Sequence, residues 1–399
     1  MDKNVLLELI DNMLFSKEAA DYLGITTQRL NQLVHAGQIV PIKRTSSGAI
    51  FLRSDLDNRI KSVKDIATEM EKNKKYGSIN LDSSFMNEVI NYFTIQSFYN
   101  YSDKKTEQIF KIVQKEVDAG LEMSKIASIV SKVTSINESS LLATYNAVRK
   151  SFSKLNDKDY IIKKGMREYP ELLAMTEEAP PYLFLRGNIS LLKENIVSIV
   201  GSRNASKEGV EKAYRLSKLL GKAGIVVASG LARGIDTAAH TASIENNFLT
   251  IAVLGTPLTK AYPNENANLQ KKISEVGLVV SQFSPSAPVQ RWHFPMRNAV
   301  MSGISLATAI MEAGETSGAL KQADYALKQN RLVFIPQSAL DNENISWPKK
   351  YIQRKGAAKF SKLDELLKML ENAEIIPSSI AQMNLFSEGA EKVNVHKFK

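Results

Sequence analysis

The chain has 399 residues, 44% of them hydrophobic, which is enough to bury a large core and to form two or three domains. Its 52 lysines and arginines outnumber 42 acids, a formal charge of +10 that suits a polyanionic partner without selecting one. Having no cysteine excludes disulfides, thiolate catalysis and Cys-based metal sites, and the scattered His35, His240, His293 and His396 show no paired ligand spacing, so neither metal nor cofactor is expected.

The first fifteen residues mix acids into an apolar run and lack the basic flank and cleavage site of a signal peptide. No run of about 18 apolar residues occurs anywhere, so the expected location is the cytoplasm, with no membrane partner. Residues 1–64 read as a small DNA-binding unit. Ser16 is placed to cap a helix reaching Gly24, and a second helix runs from Thr27 to about Gly37. Alternating residues then flank Thr45-Ser46-Ser47-Gly48 as a two-stranded wing. This segment resembles the winged helix-turn-helix of the MerR/excisionase type. The resemblance implies duplex DNA contact through Thr27, Gln28, Asn31 and Gln32 in the major groove, with Lys43 and Arg44 at phosphates. A helical hairpin used for protein contact is the alternative.

A charged stretch from Lys61 to Lys75 reads as a linker. Residues 81–155 show apolar spacing of helical period and are expected to form an all-α domain, with Tyr92, Phe93, Phe98, Tyr99 and Tyr101 read as its core in preference to a base-stacking cluster.

From 159 to 360 the rhythm changes. Apolar runs at 196–200, 225–228, 250–254, 278–280, 307–311 and 332–335 alternate with helical stretches, which predicts an α/β domain: a Rossmann-like parallel sheet with helices on both faces. A short helix over Lys362–Leu370 and a disordered tail complete residues 361–399.

The strand ends of this third block hold the chemistry. Gly201-Ser202-Arg203 closes the first strand, and Ser206 opens a helix whose amides and partial positive charge suit an anion. The G-x-G-x-x-G turn and the ribose-binding acid of a dinucleotide fold are both missing. After the second strand, Ser229-Gly230-Leu231-Ala232-Arg233-Gly234-Ile235-Asp236 brings a further arginine and loop amides, with Asp236 placed to cap the next helix. His240 reads as a packed structural histidine. Arg291-Trp292-His293-Phe294-Pro295-Met296-Arg297-Asn298 has the composition of a single-strand site, where aromatics stack on bases and cations hold phosphates, although Trp292 also suits a core position. Thr316 and Ser317 add hydroxyls before another helix.

In order and spacing, GSR at 201–203, SGLARGID at 229–236, LGTPLTKAYPNENANL at 254–269, FPMRNAVMSGIS at 294–305 and ETSGAL at 315–320 resemble the DprA/Smf DNA-processing family. That family implies a homodimer that binds single-stranded DNA and passes it to a RecA-type recombinase during DNA uptake. Carried over by motif, the single-strand site comprises Gly201, Ser202, Arg203, Ser229, Gly230, Arg233, Gly234, Arg291, Phe294, Arg297, Asn298, Thr316 and Ser317. Two places depart from the family pattern. Ala299 stands where an arginine is usual, and Gln337 follows Pro336 where glycine is usual. The N-terminal half also differs from the short helical domain of the family, which leaves a mobile-element or defence setting open.

Two rivals remain at this level. One is a Rossmann-like enzyme or sensor for nucleotide derivatives, but its PGGxGTxxE loop is absent, Glu315 precedes the hydroxyl pair, and no P-loop occurs. No catalysis is therefore expected. The other is a transcriptional regulator led by the N-terminal block. In the tail, Gln382, Leu385 and Phe386 resemble the Q-x-x-L-F peptide that docks on a sliding clamp.

Overall fold

The computed structural model describes residues 12–23, 27, 30, 34, 39–45, 48–57 and 79–372. Gln28, Asn31, Gln32, the 61–75 linker and the tail with Gln382, Leu385 and Phe386 lie outside the described residues. Two compact units are present. One takes in residues 76–218 and 226–359, and the other holds the N-terminal block with Leu219–Ile225 and the described residues from Phe360.

In the N-terminal block, β1 (Met13–Phe15), β2 (Lys43–Thr45) and β3 (Gly48–Leu52) form a three-stranded sheet in the order β1-β3-β2. β2 and β3 pair antiparallel, with Lys43 opposite Ile50 and Thr45 opposite Gly48. Helix α1 (Ser16–Tyr22) is capped differently from the sequence expectation. Its cap is Phe15, whose amide donates to the Glu18 carboxylate at 2.9 Å. The Ser16 hydroxyl instead accepts from the Ala49 amide at 2.9 Å, fastening the helix to β3. Thr27, Leu30 and Val34 are helical, and Leu30 and Val34 are buried with Ala19, Ala20, Phe51 and Leu56. Apolar residues three and four apart explain that shared face.

In the larger unit, a nine-stranded sheet runs β12-β11-β10-β6-β7-β8-β9-β5-β4. Its centre is β6 (Ile196–Val200), β7 (Val226–Ser229), β8 (Thr250–Leu254), β9 (Leu278–Ser281), β10 (Ala307–Ile310) and β11 (Leu332–Pro336). These pair in parallel throughout. They match the apolar runs of the sequence because strands buried on both faces are nearly continuous in apolar residues. β4 (Asp159–Lys163) and β5 (Tyr182–Gly187) extend the sheet antiparallel. A bidentate pair from Arg186 to the buried Asp159, at 2.6 and 2.7 Å, locks them together. At the opposite edge lies β12 (Ala357–Phe360).

Alternation within the strands divides the core. Leu183, Leu185, Ile251 and Val253 join a cluster with Val300, Met301, Leu320 and Ala323. Tyr182, Phe184, Ala252 and Leu254 point into the other cluster. That second cluster also contains the helices α2 (Ser84–Phe98), α3 (Asp103–Glu116), α4 (Met123–Thr134) and α5 (Glu138–Phe152). Tyr92 and Phe93 meet the Tyr182 ring at 5.2 and 5.7 Å, so the helical segment and the sheet share one core.

The helices that follow in the chain are α6 (Glu171–Ala174), α7 (Lys207–Lys222), α8 (Ile235–Glu245), α9 (Ala267–Val276), α10 (His293–Gly303), α11 (Gly318–Lys328), α12 (Gln337–Leu340) and α13 (Trp347–Tyr351). Then comes α14 (Leu363–Asn372). Among the described residues no helix is long and apolar enough to cross a membrane.

Candidate nucleic-acid interface

The strand order decides where a ligand site can form. The chain runs outward from β6 through β7, β8 and β9, then returns to the other side of β6 with β10. In an open parallel sheet the crevice lies at this reversal, beyond the carboxyl ends of the strands. A cleft of about 680 Å³ occupies that place, between the turn after β6 and the segment joining β10 to α11.

Nine of the expected site residues line the cleft: Gly201, Ser202, Arg203, Arg291, Phe294, Arg297, Asn298, Thr316 and Ser317. Ser229, Gly230, Arg233 and Gly234 do not. Ser229 is fully buried and donates to the Ile199 carbonyl at 2.7 Å. Arg233 lies on the surface, paired with Glu265 at 2.6 Å. Gly234 is the cap of α8. Asp236 therefore sits inside that helix and does not cap it. Its buried carboxylate accepts from the amides of Gly230 at 3.2 Å and Ala232 at 3.3 Å, taking up loop donors that the sequence offered to an anion. Burial pushes the Asp236 carboxyl up, against the pull of Arg297.

The cations divide into two kinds. Arg297 is only 5% exposed. Its guanidinium donates to the Gly230 carbonyl, to the Val253 carbonyl at 2.5 Å and to Asn298 Oδ1 at 3.0 Å. Burial pulls its pKa down to about 10, against the attraction of Asp236. The Asn298 amide in turn donates to the Gly318 carbonyl at 3.1 Å, tying α10 to the start of α11. These two residues build the wall of the cleft. Arg203 and Arg291 are exposed and have no acidic partner among the described residues. The Arg203 guanidinium lies 5.6 Å from the centre of the Phe294 ring, and Tyr262 is 5.2 Å from the same ring.

Sequence reasoning missed Tyr262, Lys321 and Gln322, which also line the cleft. Tyr262 is half exposed, and lies in a segment of the sequence where only the family motif drew attention. Trp292, next to Arg291, is 54% exposed and is not a core residue. The neighbouring His293 is buried and stacks on Phe283 at 3.9 Å, which fixes the start of α10 beneath that indole.

The start of α7 is already filled. Glu312, from the end of β10, accepts from the Ser206 amide at 2.9 Å and from the Ser206 hydroxyl at 2.6 Å. Its backbone carbonyl accepts from Ser202 N–H at 2.6 Å. The amide that a dinucleotide fold turns toward phosphate is thus satisfied by a carboxylate of the chain itself. Glu315 is also a cap, accepting from the amides of Ser346 and Trp347 at the start of α13.

Residues 160–371 match the family described as DNA recombination-mediator protein A. The chain belongs to that family. Residues 1–159 lie outside the match. The DNA processing protein DprA of Streptococcus pneumoniae is 41% identical over 174 residues, 43% of this chain and 61% of that protein. DprA of Bacillus subtilis is 36% identical over 199 residues, 50% of this chain and 67% of its own length. The match therefore spans only 61% and 67% of the length of these relatives. The crystal structure of pneumococcal DprA superposes with a TM-score of 0.57 at 29% identity, covering 70% of this chain and 97% of that one. The matched region of this chain contains the whole cleft.

Proposed function

We propose that the cleft between β6 and β10 binds single-stranded DNA, and that the chain acts as a DNA-processing protein of the DprA kind. The observation that carries this reading is the Arg203 guanidinium held against the Phe294 ring, with Tyr262 on the same ring. Cations beside exposed aromatic faces suit a strand whose phosphates and unstacked bases are both accessible, whereas in a duplex the base faces are hidden. Trp292, next to the cleft-lining Arg291, continues the same composition beyond the cleft.

Family membership supports the wider role: protecting single strands, loading a RecA-type recombinase in DNA uptake or recombination, and acting as a homodimer in the cytoplasm. The N-terminal block, with Thr27 and Lys43 exposed, is assigned to duplex DNA, and the Gln382-Leu385-Phe386 peptide to a sliding clamp. Binding rather than catalysis is the proposed activity, since Glu315, the acid nearest to the loop of nucleotide-cleaving relatives, is used as a helix cap.

Labelled oligonucleotides test the reading on the full chain. A single strand should bind more tightly than a blunt duplex, and the preference should fall when Arg203 is removed. Equal binding of both, or binding of neither, overturns it.

A further inference from the structure

The carboxylate at the start of α7 does more than end a helix. Ser206 alone already serves as the cap, since its hydroxyl accepts from the Gly209 amide at 3.0 Å. Glu312 adds a charge outside that cap, taking both the Ser206 amide and the Ser206 hydroxyl proton. Gly209 makes room for it. A Cβ at this position would lie 2.2 Å from Glu312 Oε2, so the first turn of α7 carries a residue that disfavours helix where alanine would favour it.

A second cleft, of about 540 Å³, opens at the same point. Ser206, Gly209, Lys212, Glu312, Ser338 and Asn342 are among its walls. It is large enough for a nucleoside and lies where a doubly wound sheet seats a nucleotide phosphate. Both features that would draw a phosphate there are countered from within the chain. The helix start faces Glu312, and the Lys212 ammonium is bound by Glu208 at 2.6 Å and by Ser338 at 2.9 Å.

We propose that Glu312 is a specificity-determining residue: its carboxylate excludes mononucleotides from the start of α7 and leaves phosphate only the arginine-lined cleft on the other side of Gly314. A mononucleotide in that outer cleft reaches only one or two cations, whereas a polymer reaches several at once. The selection of polymer over monomer follows, and this last step rests on the single-strand reading above. Like charges a few ångströms apart disfavour each other strongly in a half-buried site.

The test titrates the full chain with ADP, inorganic pyrophosphate and a thymidine oligonucleotide. The wild-type chain should take up neither small anion at about millimolar concentration. Glu312→Gln keeps the shape and the acceptor while removing the charge, and it should gain at least about tenfold in affinity for ADP and pyrophosphate. Glu312→Ala also empties the seat and should gain more. Thermal melting checks that each variant is folded, and if the alanine variant is not, the glutamine variant decides. Wild-type binding of ADP as tight as that of the variants overturns the proposal, as does a folded Glu312→Gln that gains nothing. Failure of the wild-type chain to bind the oligonucleotide overturns the single-strand reading instead, and the ADP comparison still judges Glu312.

Discussion

The Arg297 guanidinium rests directly on the backbone of Gly230, donating to its carbonyl, and a Cβ on that glycine would lie 2.2 Å from Nη1. This contact ties the loop after β7 to α10 and goes with the burial of a cationic motif residue that is only 5% exposed. Arg297→Ala should cost about 3–5 kcal/mol of stability, because it takes the donor from the Gly230 and Val253 carbonyls and the positive charge from beside the buried Asp236. Gly230→Ala should cost about 1–3 kcal/mol through overpacking. Urea unfolding measures both. Full stability with weakened DNA binding would return Arg297 to the role of a free phosphate ligand.

Arg203 should behave in the opposite way. It is exposed and unpaired among the described residues, so Arg203→Ala should leave the melting temperature unchanged and weaken single-strand binding by about 1.5–3 kcal/mol. The slope of log affinity against log salt should flatten, since one phosphate contact fewer releases fewer counterions. A folded variant with the same affinity and slope removes Arg203 from the site.

Two aromatic residues give a readout that salt does not touch. Phe294→Ala should cost about 1–3 kcal/mol of oligonucleotide affinity with little change in salt slope, because stacking releases no counterions. Of the two tryptophans, Trp292 is 54% exposed and Trp347 is 1% exposed. An oligonucleotide that reaches beyond the cleft should quench the Trp292 emission, and Trp292→Phe should abolish the quench. Quenching that survives this change would place the bases elsewhere.

The pH dependence of stability has a contribution from His240 that a variant can separate from the rest. His240 is fully buried, its Nδ1 lies 2.8 Å from the Thr250 hydroxyl, and burial pulls its pKa down to about 3. A histidine lowered in the folded state stays neutral there while the unfolded chain takes up a proton. Its contribution is therefore present above about pH 6.5 and lost as the pH falls toward the folded value. Asp103, raised to about 6 by burial, works in the other direction over part of this range. Comparison with His240→Gln cancels that contribution. The stability difference between wild type and variant should fall by about 1.4 kcal/mol per pH unit between pH 6 and 4 in urea titrations. A flat difference would show that His240 is charged in the fold.

At the N-terminal block, Lys43 is exposed on β2, the strand of the hairpin that the sequence reads as a wing. Replacing Lys43 and Thr27 by alanine should remove any preference for a tailed duplex over a plain single strand, and should reduce the salt slope by about 1 for the lost phosphate contact. Affinity for the single strand alone should hold. If the tailed-duplex preference also holds, the block is a protein-contact module.

The six central strands were legible in the sequence because a strand buried on both faces must be apolar along its length, as Ile196–Val200 and Thr250–Leu254 are. The loops at their carboxyl ends stood out through clustered glycine, arginine and hydroxyl residues, and nine of the thirteen residues so marked line the cleft. β4 and β5 were not read as strands. Their place follows from the pairing of β5 with β9 and of β4 with β5, which leaves no periodic mark beyond a short apolar run. Strand order also belongs to the tertiary structure. Only the return of the chain to place β10 beside β6 brings Arg203 and Ser317 to one cleft, more than a hundred residues apart in sequence. The same holds for which charges are free. Arg203, Arg233 and Arg297 look alike in sequence, yet one faces an aromatic ring, one is paired with Glu265 and one is buried on two carbonyls. Glu312 gave no sign of its position at the start of α7, because a carboxylate finds a helix end through space, and the sequence separation of 106 residues between Ser206 and Glu312 carries no information about that distance.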